Sequence, residues 1–468
     1  MISMTLGQIA RAVGGRVVDG SNGLEVTGAP FRDSREVEPN GLFVAVEGER
    51  VDGHDFAVRA VTAGAAGALV RRAVGVPAVQ VDDVIEALGR LAKHVASGLT
   101  ELTVIGLTGS QGKTTTKDLL AHVLEGFGET VAPEGSLNNE IGVPLTVLRA
   151  TASTRYLVLE MGARGPGHIS YLTSIAPVSV GLVLNVGSAH LGEFGSRAGI
   201  AAAKGELVEA LPTDGHAVLN IDDPRVAAMR DRTSARVVTF GTLPTADVHV
   251  SEVTLDGAGR VGFDLTVRDV RSRVQLGLVG AHHAANAAAV VAVTTGLGLP
   301  LAAVVASLDG AEPRSSWRME VGESGQGVTV INDAYNANPD SMRAAIETLA
   351  QIGRSRRPPA RTFAVLGEML ELGPGSAEAH VDVGRLTRQL GITQLVAVGA
   401  GARAMLKDAG KAPLGEPEPV LVADADEAAA FVQGAVRAGD VVLVKASRAV
   451  GLEKVALALL ANRTEAGR

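Results

Sequence analysis

The chain contains no cysteine, which excludes disulfides, thiolate metal sites and cysteine nucleophiles and fits a reducing compartment such as the cytoplasm. Aromatic residues make up only 3% of it, with a single tryptophan, which argues against a surface that stacks single-stranded nucleic acid. There is no long block of basic residues, and the formal charge of −8 argues against a nucleic-acid surface. The opening stretch MISMTLGQIARAVGG lacks a basic start followed by an apolar core, so no signal peptide is expected. Long apolar runs are also missing. Residues 274–308 carry no Lys, Arg, Asp or Glu, but His282, His283, Asn286, Thr294, Thr295 and Pro300 interrupt them. A membrane-spanning helix needs about 20 predominantly apolar residues. This run is therefore expected to lie in a protein core.

What is present is a globular composition, 46% hydrophobic and 20% charged, in 468 residues. That length exceeds one ordinary core, so several domains are expected. Fifty-seven glycines suit tight turns and close packing of helices on sheets. Residues 1–98 alternate short apolar runs with turns and end in the helix-like VIEALGRLAKHVASGL, a small α/β unit. A second unit, 99–313, opens on LTVIGL and repeats strand then helix through YLVLEMG, VSVGLVLNVG and HAVLNIDD. Short β-branched runs separated by helices predict a doubly wound parallel sheet. From about 242 to 279 the pattern turns to alternation, as in VGFDLTVRD, which predicts a small antiparallel addition. The third unit, 314–468, holds VTVINDAYNANP, RTFAVLGEM, ITQLVAVG and DVVLVKAS, four strand candidates of a second open, Rossmann-like α/β sheet. GRSRRPPAR (353–361) reads as an exposed loop within it.

The chemistry begins at LTVIGLTGSQGKTTTKDLL (102–120). A strand, a glycine turn and a helix headed by Gly112-Lys113-Thr114 form a phosphate cradle. Backbone N–H groups and the helix dipole hold anionic oxygens, the lysine meets the outer phosphates, and the threonine hydroxyl suits Mg2+. The general pattern G-x4-G-K-[ST] is missed at one place, because Leu107 stands where its first glycine belongs. Glu160 ends a buried strand beside this loop and could hold Mg2+ there. His190 follows the next strand in VLNVGSAHLGEFGS, and Lys204 lies in GIAAAKGELVEAL. Taken singly, the histidine reads as a structural loop residue and the lysine as a solvated helix residue.

Together these segments resemble the Mur ligases. The phosphate loop is similar to that family's T-G-[ST]-x-G-K-[ST], and GSLNNEIGVPLTVLRA (135–150) to its asparagine-rich N-x-N-N-x-x-G-x-P segment. EMGARGPGHI, SAHLGEFGS and AKGEL follow in the family's order, then GAHHAANAAAV, LGEMLELG with His380, and VKASR. NDAYNANPDSM resembles the signature of the branch that adds D-alanyl-D-alanine. Three positions depart from the family pattern: Ser136 and His283 replace asparagines, and Ala446 replaces a glycine.

The resemblance implies an ATP-dependent amide ligase of the EC 6.3.2 type that joins D-alanyl-D-alanine to UDP-N-acetylmuramoyl-tripeptide through an acyl phosphate. Such an enzyme supplies peptidoglycan synthesis, and a cytoplasmic monomer is expected. It implies that Thr108, Gly109, Ser110, Gln111, Gly112, Lys113 and Thr114 bind ATP phosphates, with Asn286, Arg318 and Asp333 on the rest of the nucleotide. Thr114 and Glu160 would hold one Mg2+, and His190 and a carbamylated Lys204 a second. Lys113, Glu160, His190 and Lys204 are thus the expected catalytic set. Substrate contacts are expected from Ser34 and Arg35 at the uridine diphosphate end, and from Asn138, Asn139, Tyr335, Asn336, Asn338, Lys445, Ser447 and Arg448. A tripeptide ending in lysine and one ending in diaminopimelate fit these residues equally. Two other readings remain open at this level: a relative that adds a different amino acid, and a nucleotide-gated switch that hydrolyses ATP without an acceptor.

Overall fold

The computed structural model describes residues 1–48, 51–188, 191–407 and 417–461. Three sheets follow one another along the chain, after a two-stranded ladder of Met4–Thr5 with Glu25–Val26. The first sheet has four strands in the order Arg16–Val18, Ala78–Gln80, Gly67–Val70, Leu42–Val44. The helix after it, Val84–Ser97, is capped by Asp83, whose carboxylate accepts from the Glu86 N–H at 2.9 Å. Its buried residues Val84, Ala87, Leu88, Leu91, Ala92 and Val95 recur at helical spacing on one face. That face packs on helices Gly142–Val147 and His168–Ile175 of the following unit. One apolar cluster accordingly runs from Met4 through Leu91, Val143 and Leu172 to Ala235.

The central sheet has nine strands. Thr103–Thr108 lies between Val180–Val183 and Tyr156–Glu160, with Thr130–Val131 beyond the latter. On the other side His216–Asn220 and Arg236–Gly241 follow, all parallel. The switch to alternation is borne out: Val248–Leu255, Arg260–Val267 and Val270–Val279 pair antiparallel and close that edge. The uncharged run meets its expectation only in part: it is buried through its middle but surfaces at Leu301–Leu308, where only Val304 and Leu308 are buried. Helix His283–Gly296 is buried along nearly its whole length. Among the described residues, no helix is long and apolar enough to cross a membrane.

The third sheet has six strands, in the order Glu320–Glu323, Thr329–Asn332, Val441–Lys445, Thr362–Gly367, Gln394–Val398, Val420–Val422. Only the first pairs antiparallel. The sequence pattern marks the four central strands; of the two outer ones, Glu320–Glu323 is largely exposed and Val420–Val422 has only three residues. The Arg/Pro-rich segment is split: 353–355 finish helix Pro339–Ser355, and the connection proper starts at Arg356. Of the central unit, Val279 alone among the described residues joins the apolar clusters of this third sheet. The second seam is mostly polar.

Candidate active site

A cavity of about 700 Å³ opens along that polar seam. On the central side it is lined by Ser110–Thr115, Asn138, Asn139, Glu160, Asn185 and Asn286; on the other side by Arg318, Asp333, Tyr335, Asn336, Asn338 and Lys445. Most of these residues stand at the carboxyl ends of parallel strands or at the helix starts that follow, where open α/β sheets bind ligands.

The phosphate cradle is built as its sequence requires. Strand Thr103–Thr108 ends in the turn, and helix Lys113–Glu125 starts at once. Gly112 has φ +79°, and a Cβ there would lie 2.8 Å from the Asn286 amide oxygen, so both conformation and space demand glycine. Asn185 braces the turn: its Oδ1 accepts from the Ser110 and Gln111 N–H groups at 2.9 and 3.0 Å. Lys113 Nζ donates to the Gly109 carbonyl at 2.8 Å. Burial pushes the Lys113 pKa down, and the nearby Glu160 carboxylate pulls it back up.

Thr114 Oγ1 donates to Glu160 Oε2, and Asn138 Nδ2 to Glu160 Oε1, each at 2.8 Å. Glu160 is only 1% exposed. A buried carboxylate and hydroxyl in contact, in front of a phosphate cradle, are the hard oxygen donors that Mg2+ takes. These residues fit the ion. Lys204 lies in helix Arg197–Glu209, 5% exposed, and has no hydrogen-bond or ion-pair partner among the described residues. Burial lowers its pKa well below the lysine range, and the charge of Lys113 lowers it further. Its amine is therefore held toward the neutral, nucleophilic form. His190 lies outside the described residues.

Across the seam, Lys445 Nζ donates to Asp333 Oδ2 at 2.6 Å and to the Asn336 carbonyl at 2.8 Å. The Arg318 guanidinium stacks 4.1 Å from the Tyr335 ring centroid. Ser136 and Tyr335 share a short hydrogen bond between their hydroxyls, so the serine that departs from the family pattern ties the two units together. His283, the second departure, lies against His282 at 4.0 Å between ring centroids and 3.1 Å from the Asn286 amide. Burial holds His282 down to about 4 and His283 well below its usual range, so both are neutral at pH 7.

Some of the expected residues stand elsewhere. Thr108 and Gly109 are absent from the cavity lining, the threonine being fully buried beneath the turn. Asn139 is largely occupied in starting a helix, its Oδ1 accepting from Gly142 N at 2.9 Å. Ser447 accepts from the Leu370 N–H, and Arg448 stacks on Trp317 at 4.4 Å. Neither lines the cavity. Nor do Ser34 and Arg35, which stay in the first unit, the arginine paired with Asp33 at 2.6 Å. His380 is buried and structural, accepting from the Met369 N–H at 2.9 Å. Two residues escaped the sequence reading. Asn185 was visible only as a polar end to a strand. Asp340, inside NANPDSM, accepts from both the backbone N–H and the hydroxyl of Ser188 at 2.9 Å.

Comparison with known proteins agrees with this architecture. Family models match in three segments: the Mur ligase family catalytic domain over 32–96, the Mur ligase middle domain over 107–294, and the Mur ligase glutamate ligase domain over 317–448. The chain belongs to the Mur ligase family. Among its relatives is the UDP-N-acetylmuramoyl-tripeptide–D-alanyl-D-alanine ligase of Mycobacterium bovis, 48% identical over 99% of both chains. A crystal structure of MurF from Acinetobacter baumannii superimposes with a TM-score of 0.86 at 33% identity, over 98% of this chain and 99% of that one. MurF ligase from Thermotoga maritima in complex with ADP gives a TM-score of 0.79 at 31% identity, over 94% and 98%.

Proposed function

We propose that this chain is an ATP-dependent ligase that joins D-alanyl-D-alanine to UDP-N-acetylmuramoyl-tripeptide for peptidoglycan synthesis. One observation carries the reading: the phosphate cradle with its Thr114–Glu160 pair faces Arg318, Asp333 and Lys445 across a single cavity. The full-length identity to a ligase of that name supports the substrates.

A carboxylate resists amines because attack must expel an oxide. The tripeptide's terminal carboxylate oxygen therefore takes the γ-phosphoryl group of ATP, and ADP leaves. The amine of the dipeptide then attacks the acyl carbon, phosphate departs with the former carboxylate oxygen, and a proton goes to solvent. Lys113 and the N–H groups at the head of its helix hold the phosphates, while Asn286, Arg318 and Asp333 hold the rest of the nucleotide. Thr114 and Glu160 would bind one Mg2+, and His190 and Lys204 a second. Bound Mg2+ offsets the negative charge of nucleotide and carboxylate. Lys204 is the residue we assign to carbamylation. Its neutral amine adds to carbon dioxide: the N–C bond forms as a C=O π bond breaks, a proton is lost, and the lysine becomes an anionic group able to hold a metal.

The first unit takes the uridine diphosphate end, with Ser34 and Arg35 as contacts, and the third takes the dipeptide. Asn138, Asn139, Tyr335, Asn336, Asn338, Lys445, Ser447 and Arg448 complete the substrate contacts in this reading. Closure of the third unit on the central one keeps water from the acyl phosphate. The enzyme acts in the cytoplasm, where ATP is available, as a monomer. The test is phosphate release from ATP, Mg2+ and UDP-muramoyl-tripeptide, with and without D-alanyl-D-alanine, together with the product mass. Dipeptide-dependent turnover with one dipeptide added is expected. Turnover indifferent to the dipeptide, with no new amide, would refute the assignment.

A further inference from the structure

The Arg/Pro-rich segment 353–361 has no part in the chemistry above. It lies at the end of the third unit remote from the seam. Helix Pro339–Ser355, 17 residues and about 25 Å long, runs from Asp340 at the seam to Arg354 at the opposite edge. That edge carries the amino ends of strands Thr329–Asn332, Val441–Lys445, Thr362–Gly367 and Gln394–Val398. Asp333 and Lys445, which line the active cavity, stand at the carboxyl ends.

The connections that meet at the amino edge bring six arginines together. Arg354 donates to the Leu390 carbonyl at 3.3 Å, close to Arg388 on helix Ser376–Gln389. Arg356 donates to the Gly439 carbonyl at 3.1 Å, beside Arg437, and to the Thr329 hydroxyl. Arg357 donates to the carbonyls of Arg354 and Arg356. These acceptors are neutral, so they position a guanidinium without cancelling its charge. Only Arg361 meets an acid, Asp440 at 2.5 Å. Arg354, Arg356, Arg357, Arg388 and Arg437 have no ion-pair partner among the described residues. Glu323 and Glu418 are near, but they belong to the two outermost strands of the sheet and leave its middle positive. On a chain with a formal charge of −8 this is a concentrated patch of the opposite sign.

Its form decides the partner. Arg354, Arg357, Pro358 and Pro359 are exposed, and none of the six arginines lines a cavity of the seam. The connections 356–361, 389–393 and 436–440 contain no aromatic residue, so nucleic acid bases would find no stacking platform. A lipid surface needs neither groove nor ring, because its anions take up spread charges one by one. We propose that this edge docks the protein on an anionic lipid surface. The seam then lies about 25 Å from the lipid and stays open to solutes. The inference uses no residue of the candidate site and goes beyond the ligase reading.

The test is cosedimentation of the chain with vesicles of phosphatidylcholine alone, and of phosphatidylcholine mixed equally with phosphatidylglycerol, at low and high salt. Binding to the mixed vesicles only, lost at high salt, is expected. Arg354→Gln, Arg357→Gln and Arg388→Gln together should weaken it about a hundredfold, at about fivefold per charge. The same three positions changed to lysine should keep it. Melting temperature and dipeptide-dependent turnover in solution should match the wild type in both sets. If the triple glutamine variant does not fold, Arg357→Gln alone carries the test at about fivefold. Equal binding to neutral vesicles, binding to neither, or binding that the glutamine variants retain would overturn the proposal. Binding to a single-stranded oligonucleotide but to neither vesicle would assign the edge to nucleic acid and overturn it as well.

Discussion

The two seams of this molecule are built from opposite materials. Between the first unit and the central one, helix Val84–Ser97 buries Leu88, Leu91 and Val95 in an apolar cluster shared with Val143 and Leu172. Between the central unit and the third, contact is made by hydroxyls, amides and charges: Ser136 with Tyr335, Ser188 with Asp340, Arg314 with Glu125. Apolar burial is non-directional and favours a permanently closed joint. Hydrogen bonds that exchange readily with water contribute little net energy, so a polar joint can open. Three cavities, of about 700, 490 and 410 Å³, lie on the polar joint. The apolar seam is the one built to stay closed, and the polar seam is the one that carries the cavities.

Substitutions on each side should separate these roles. The largest effect is expected at Lys204, the residue proposed for carbamylation. Lys204→Ala should lose about 10²–10³-fold in kcat, the scale on which one removed electrostatic stabiliser counts, and should recover part of it with added short carboxylates. Full activity in the plain variant would remove the carbamate role. Next is Leu91→Ala in the apolar seam, which should cost about 2–5 kcal/mol, seen as a lower melting temperature with KM values unchanged. A shifted KM without lost stability would show that the first seam also moves during turnover. Asp340→Ala removes the acceptor of two Ser188 hydrogen bonds, and hydrogen bonds to charged groups contribute about 1.5–3 kcal/mol each. Losing that acceptor should lower the melting temperature, by less than Leu91→Ala does, and reduce kcat by roughly 10-fold as the seam loosens. The smallest effect belongs to Arg314→Ala. Its pair with Glu125 spans the seam but is half exposed, and such pairs contribute about 0–1 kcal/mol, so activity should stay within about twofold.

The sequence announced what is local. The cradle was legible because strand, Gly112 and Lys113-Thr114 are contiguous and each residue type has its own physical reason to be there. The antiparallel edge was legible because alternation over 248–279 has a period of its own. The seams were not. The amphipathic face of Val84–Ser97 was plain, but nothing in its spacing says that its partner is Gly142–Val147 rather than its own sheet. Asp340 and Ser188 are 152 residues apart, and only the fold brings them together. Asn185 likewise reads as an ordinary strand end until its amide is seen holding the phosphate turn.

The central claim is that the polar seam activates a carboxylate with ATP before the amine arrives. Tripeptide labelled with 18O in its terminal carboxylate tests it directly. The account predicts one 18O atom in the phosphate released for each amide formed. Unlabelled phosphate accompanying full amide formation would contradict it.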